Sequence, residues 1–283
     1  MLTESRIGTV VLRSKNVERA RSFYEDALGF VPLRAFPNSV TYDAGGVKLT
    51  INESSDFGKE RNPEGDDTEL LVFHVDSVDE MRTALEERGV EFGQTLRYEI
   101  GATVDCHDPD LHNITLYEPS AESLTWPSGK KVMEIVNSGK SPGGTLLGTR
   151  KLLYLFLFVR DTLEAAKFYR DSMGLRVIEE DPEAGVVKYD CGGLIIATHL
   201  VGGDAKCAVD MDLTYEKGVV ASFSVNSLSA SMQSLEARRV PFVEAPVITP
   251  TGGLAKFHDP SGHLFYLCEG PWVVEPEAIQ TKT

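Results

Sequence analysis

An internal duplication constrains this chain more than any other feature. TVVLRSKNVERARSFYEDALGF (Thr9–Phe30) aligns with YLFLFVRDTLEAAKFYRDSMGL (Tyr154–Leu175) on a shared Phe-Tyr dipeptide. VTYDAGGVKLTI (Val40–Ile51) aligns with VKYDCGGLIIAT (Val187–Thr198), and Leu70–Phe92 aligns with Val220–Phe242. HDPDLHNITLYE (His107–Glu118) aligns with HDPSGHLFYLCE (His258–Glu269). Order is kept and the spacing differs by only a few residues, so whatever one half folds into, the other must fold into as well. The expected division is a first unit over 1–120, a linker over 121–150, a second unit over 151–272 and a tail over 273–283.

Each repeat divides again into two strand–helix–strands segments. Asn16, Ser77 and Asp161 stand where helix N-caps are needed, and Gly29, Gly89 and Gly174 where helices close. Arg239 replaces the fourth glycine, so that end is expected to close differently. Val17, Ala20, Phe23, Tyr24, Ala27 and Leu28 recur at helical spacing and form one apolar stripe. Asp43–Gly46 and Asp190–Gly193 read as tight hairpin turns. The result is an α+β chain of four βαβββ modules with curved mixed sheets. The stretch between the repeats, rich in Pro, Ser, Gly and Lys, reads as a linker, with room for a short helix around Lys131–Val136.

Charge narrows the partners. There are 43 acidic against 28 basic residues, a formal charge of −15, which opposes binding to nucleic acid or anionic membrane. The longest apolar run, Leu152–Val159, is too short to span a bilayer, and the N-terminal residues hold no apolar signal core. A cytoplasmic location is therefore expected, with Cys106, Cys191, Cys207 and Cys268 reduced. None of them forms a C-x-x-C pair.

The strand–Asp/Asn–helix–Phe-Tyr–Leu-Gly opening and the Asp-Pro turn before the last strand resemble the vicinal oxygen chelate superfamily. That superfamily includes glyoxalase I, bleomycin-resistance proteins, fosfomycin-resistance enzymes and extradiol dioxygenases. The resemblance implies two tandem glyoxalase/bleomycin-resistance-like domains whose curved sheets hold a ligand on the concave face. In its enzymes, His, Gln or Glu from matched strand positions bind a divalent metal there. Counted from the Phe-Tyr dipeptides, those positions fall on Thr9, Lys48, Leu70 and Thr115 in one repeat, and on Tyr154, Ile195, Val220 and Tyr266 in the other. None is His, Glu or Asp, so no metal and no cofactor is expected. A slip of one residue would turn only Glu69 inward.

Alternation in the strands sets Thr9, Val11 and Arg13 on the concave side, with Leu70, Val72, Thr115 and Tyr117. In the second repeat Tyr154, Phe156, Phe158 and Tyr266 face the same way. His74 is the candidate for acid–base work. The HDP histidines, His107, His112, His258 and His263, are expected to flank turns and face water or the turn backbone. Glu179–Asp181 and Asp66–Asp67 read as solvated acidic loops, and Cys268 as an inert buried thiol.

Two functions follow, beside a third reading as a non-catalytic scaffold whose repeats only pack together. One is a metal-free protein of the bleomycin-resistance type that sequesters an aromatic or amphipathic metabolite or antibiotic. The other is a divalent-metal-dependent lyase, isomerase or ring-cleaving dioxygenase with a displaced site at His74 or the HDP histidines. Both leave the partner as a small molecule and the assembly as monomer or homodimer.

Overall fold

The computed structural model describes residues 2, 5–54, 69–139, 142–200 and 218–270. The first module contains β1 (Arg6–Ser14), α1 (Val17–Arg21), β2 (Pro32–Phe36), β3 (Ser39–Asp43) and β4 (Lys48–Glu53). The second contains β5 (Glu69–His74), α2 (Val78–Glu86), β6 (Leu96–Tyr98), β7 (Gly101–His107) and β8 (Asn113–Pro119). Helix α3 (Pro127–Asn137) follows. The third module holds β9 (Leu152–Val159), α4 (Thr162–Ala166), β10 (Arg176–Asp181), β11 (Val186–Asp190) and β12 (Ile195–Leu200). The fourth holds β13 (Val219–Val225), α5 (Leu228–Glu236), β14 (Val247–Thr249), β15 (Gly252–His258) and β16 (Leu264–Glu269). The α+β architecture of four βαβββ modules is thus present. Glu179–Asp181 is not a solvated loop: it is the end of β10.

The helix boundaries follow from capping chemistry. Asn16 accepts the Arg19 N–H at 2.8 Å, Ser77 that of Glu80 at 3.2 Å and Ser227 that of Ala230 at 3.2 Å. Asp161 accepts from both Leu163 and Glu164. Past α1 and α4 the chain continues as π-helical turns over Ser22–Ala27 and Lys167–Ser172, and the helical segments then end left-handed, at Gly29 with φ 80°, Gly89 with 85° and Gly174 with 78°. Arg239 does the same at φ 64°. The fourth helix therefore closes like the other three, and the missing glycine is replaced by strain on a side-chain-bearing residue.

Strand pairing crosses the repeats. One eight-stranded sheet runs β14-β15-β16-β13-β1-β4-β3-β2, and the other β10-β11-β12-β9-β5-β8-β7-β6. Each sheet is thus half from one repeat and half from the other, joined at antiparallel β1–β13 and β9–β5 seams. The sheets also meet at their hairpin turns. Leu152 N–H donates to Ala44 C=O at 2.9 Å, and its repeat-mate Ile7 N–H donates to Cys191 C=O at 3.1 Å. A Cβ on Gly45 would strike the Lys151 side chain, and one on Gly192 would strike Arg6. Glycine in DAGG and DCGG therefore serves close approach between sheets as well as the turn.

The helix-bearing faces of both sheets share one continuous core. Phe30 of the first module meets Phe73 of the second at 6.0 Å between ring centres. Tyr24 lies parallel to Tyr42 at 5.9 Å, and their counterparts Tyr169 and Tyr189 lie 5.2 Å apart. The opposite faces carry two separate apolar clusters, one per sheet. These are the concave faces on which a ligand site is sought.

Candidate functional site

Register places four equivalent residues abreast in each sheet. In the β9–β5 sheet, Tyr154 lies between Val72 and Ile195, and Val72 next to Thr115. In the β1–β13 sheet, Thr9 lies between Ser222 and Lys48, and Ser222 next to Tyr266. Leu70 and Val220 are one pleat away, abreast of Phe156 and Val11. Counting along the sequence missed this because the strands are staggered at the seam, where both pairings carry an irregularity.

The divalent metal of the related enzymes needs several imidazole or carboxylate donors converging on one point. The two rows offer Thr115, Val72, Tyr154 and Ile195, and Tyr266, Ser222, Thr9 and Lys48. Val and Ile have no lone pairs to donate, and an ammonium at Lys48 opposes a cation. These residues do not fit the metal. Among the described residues no three His, Cys, Asp or Glu side chains converge into a metal-binding group.

The β9–β5 sheet encloses a cavity of about 220 Å³. Its floor is Leu70, Val72, Tyr117, Tyr154 and Phe156, and Thr115 contributes a hydroxyl that donates to Asp105 at 2.6 Å. Its roof comes from residues that read as linker: Leu124, Trp126, Ser128 and Val132. Helix α3 covers this face because Val132 and Ile135 are apolar at helical spacing, and Pro127 opens its first turn. Those two features were the legible signal for a structured cover. At its far end α3 is held by Lys151, whose Nζ donates to the C=O of Ile135 at 2.9 Å and also to that of Ser138.

Polar groups punctuate the cavity. Lys188 Nζ donates to Glu179 at 2.6 Å and to the Ser128 hydroxyl at 3.0 Å. The Ser128 N–H donates to Glu179 at 3.1 Å, tying α3 to β10 and β11. Burial works to raise the Glu179 carboxyl, but Lys188 and Ser128 outweigh it and hold it below the usual range. The Tyr117 hydroxyl donates to Ile100 C=O at 2.9 Å. Burial pushes the phenols of Tyr117 and Tyr154 upward, so both remain protonated donors at neutral pH. Leu96, Tyr98 and Ile100 leave apolar surface exposed at the rim.

Thr9, Val11, Lys48 and Tyr266 line a different cleft, on the β1–β13 sheet. Val220 belongs to the apolar cluster of that face. Cys268 lines the cleft too, but burial pushes its thiol up to about 11, so it holds its proton at neutral pH. Phe158 stands beyond the cavity, against His199 at 5.7 Å. His74 is half-buried at the end of β5 and lines neither site. Burial lowers its pKa. Cys207 and Asp66–Asp67 lie outside the described residues.

Two of the four HDP histidines, His112 and His263, correct the expectation that the rings face water or the turn backbone, while His107 is exposed as expected. His112 and His263 are buried, and their Nδ1 atoms lie 2.7 and 2.8 Å from Asp108 and Asp259. Those carboxylates also accept the hydroxyls of Tyr24, at 3.1 Å, and Tyr169, at 2.7 Å. The Phe-Tyr and HDP motifs are therefore two ends of one latch, tying the two modules of a repeat that lie in different sheets. Burial works to raise Asp108 and Asp259, but the paired histidines and the hydrogen bonds win and hold both low. His258 behaves as expected, with its ring on the turn carbonyl of Gly262 at 3.1 Å.

The fold is that of several solved structures. A single-substitution variant of glyoxalase I from Zea mays matches with TM-score 0.62 and 17% identity, over 94% of each chain. A proposed dioxygenase from Bacillus subtilis matches with TM-score 0.61 and 12% identity, over 94% of this chain and 86% of that one. The cppA protein from Streptococcus pneumoniae matches with TM-score 0.51 and 14% identity, over 93% and 98%. At these identities the likeness concerns fold alone. No curated protein sequence matches the chain. The family model described as Glyoxalase/Bleomycin resistance protein/Dioxygenase superfamily matches residues 6–116 and again 151–267, one match per repeat. The chain belongs to that superfamily.

Proposed function

We propose that the chain binds a small aromatic or amphipathic molecule, without a metal, in the cavity between the β9–β5 sheet and α3. The observation that carries this reading is the character of the enclosure. Aromatic and branched side chains, Leu70, Val72, Tyr154 and Phe156, form its floor, and Trp126 and Val132 close over them. A planar apolar body gains burial against Tyr154, Phe156 and Trp126. Asp105, Ser128 and Lys188 offer a few oriented polar contacts to its substituents. The volume suits a molecule of one or two rings.

Trp126 supplies the test. With Trp272→Phe as background, its emission is followed while aromatic metabolites and antibiotics are added, alongside thermal-shift measurements. Saturable change with a rise in Tm is expected for at least one compound. Val132→Trp, which fills the cavity, should abolish it. A panel that leaves both signals unmoved defeats the reading, as does stoichiometric Fe, Mn, Ni or Zn in the purified protein, which would favour the lyase or dioxygenase alternative.

A further inference from the structure

The duplication has left two concave faces with the same backbone and opposite chemistry. The β1–β13 sheet carries a cleft of about 410 Å³, larger than the cavity under α3. Where one sheet has Val72, Tyr154 and Ile195 abreast, the other has Ser222, Thr9 and Lys48. Arg6 and Arg34 also line this cleft, and among the described residues no Asp or Glu does. In a chain with 43 acidic residues, three cations around one concavity, with no carboxylate among its described lining residues, form a local concentration of positive charge. Among the described residues, Arg6, Arg34 and Lys48 form no ion pair. The acidic group nearest in register, Asp43 abreast of Lys48, instead accepts the Gly45 N–H of the hairpin turn at 2.8 Å.

Hydroxyls complete the site. The Tyr266 hydroxyl accepts from Arg13 at 3.2 Å, which leaves its own proton for another acceptor. Ser222 and Thr9 lie in the same row as Tyr266. The Ser222 hydroxyl already donates to Cys268 Sγ at 3.0 Å, so Tyr266 and Thr9 are the donors of this row, and cationic side chains beside them match the oxygen-rich head of an anion. We propose that this cleft is a second ligand site, separate from the apolar cavity, for a small organic anion carrying a phosphate or carboxylate group.

The test is anion binding by the intact protein at constant ionic strength. Line broadening is read from the ³¹P signal of inorganic phosphate in one arm and the ¹³C signal of labelled acetate in the other. At least one probe should broaden with wild-type protein, and the arms separate phosphate from carboxylate preference. Removing two cleft charges together, Arg34→Gln with Lys48→Met, should weaken binding about tenfold or more, since charge-assisted hydrogen bonds are lost. Both residues are exposed, so circular dichroism should be unchanged. A control pair with the same loss of charge elsewhere, Arg82→Gln with Arg170→Gln, should bind like wild type. Three results overturn the proposal: no broadening of either probe, equal broadening with the cleft variant, or equal loss with the control pair.

Discussion

The buried Tyr–Asp–His groups show how much a single side chain carries here. Asp108 accepts from Tyr24, from the His112 ring and from the backbone N–H groups of Asp110 and His112. Removing its charge leaves those donors facing a weaker acceptor in a place without water. Asp108→Asn is expected to cost about 3 kcal/mol, and Tyr24→Phe about 1 kcal/mol, in urea unfolding. The carboxyls of Asp108 and Asp259 are held low in the folded state. Their contribution is therefore complete above the ordinary aspartate value of about 4 and declines as pH falls through the lower folded value. Urea midpoints measured between neutral pH and pH 3 should fall with acidification, and less steeply in Asp108→Asn. The motifs were visible in the sequence, but the bond between them was not, because Tyr24 and Asp108 are 84 residues apart.

At the scale of elements, caps were readable, and so was a short helix around Lys131–Val136, but not that this helix covers a sheet face. Side-chain caps act within three residues, so Asn16, Ser77 and Asp161 could be identified directly. Arg239 shows the limit of that reasoning: the chain kept the left-handed ending and accepted the strain. Arg239→Gly should relieve it and raise stability by about 1 kcal/mol, seen as a higher urea midpoint. Helix α3 depends on contact across the cavity. A Cβ at Gly129 would strike the Ser123 carbonyl. Gly129→Ala should therefore lift the roof, costing about 1–3 kcal/mol and shifting Trp126 emission to the red. The roof residues lay in a stretch rich in Gly, Ser and Lys that read as linker with a short helix, and nothing local said which surface the helix would pack on.

For the whole molecule, crossed pairing makes the repeats interdependent. Each sheet needs a strand set from both, and the latches tie both sheets together within each repeat. Scanning calorimetry should show one transition with matching calorimetric and van't Hoff enthalpies, whereas independent repeats would give two. No helix among the described residues is long and apolar enough to cross a membrane.

The duplication, the βαβββ modules, the helix caps and the residue types at the inward positions were all determined by the sequence alone. Each is written in local spacing or in repetition, and neither depends on where distant strands meet. Only the tertiary structure decided that modules pair across repeats, that Val72 and Ser222 rather than Leu70 and Val220 stand in the central rows, and that α3 roofs one concave face. Those outcomes are set by the β1–β13 and β9–β5 seams, where strands far apart in the chain choose a register by packing, and local sequence carries no record of that choice.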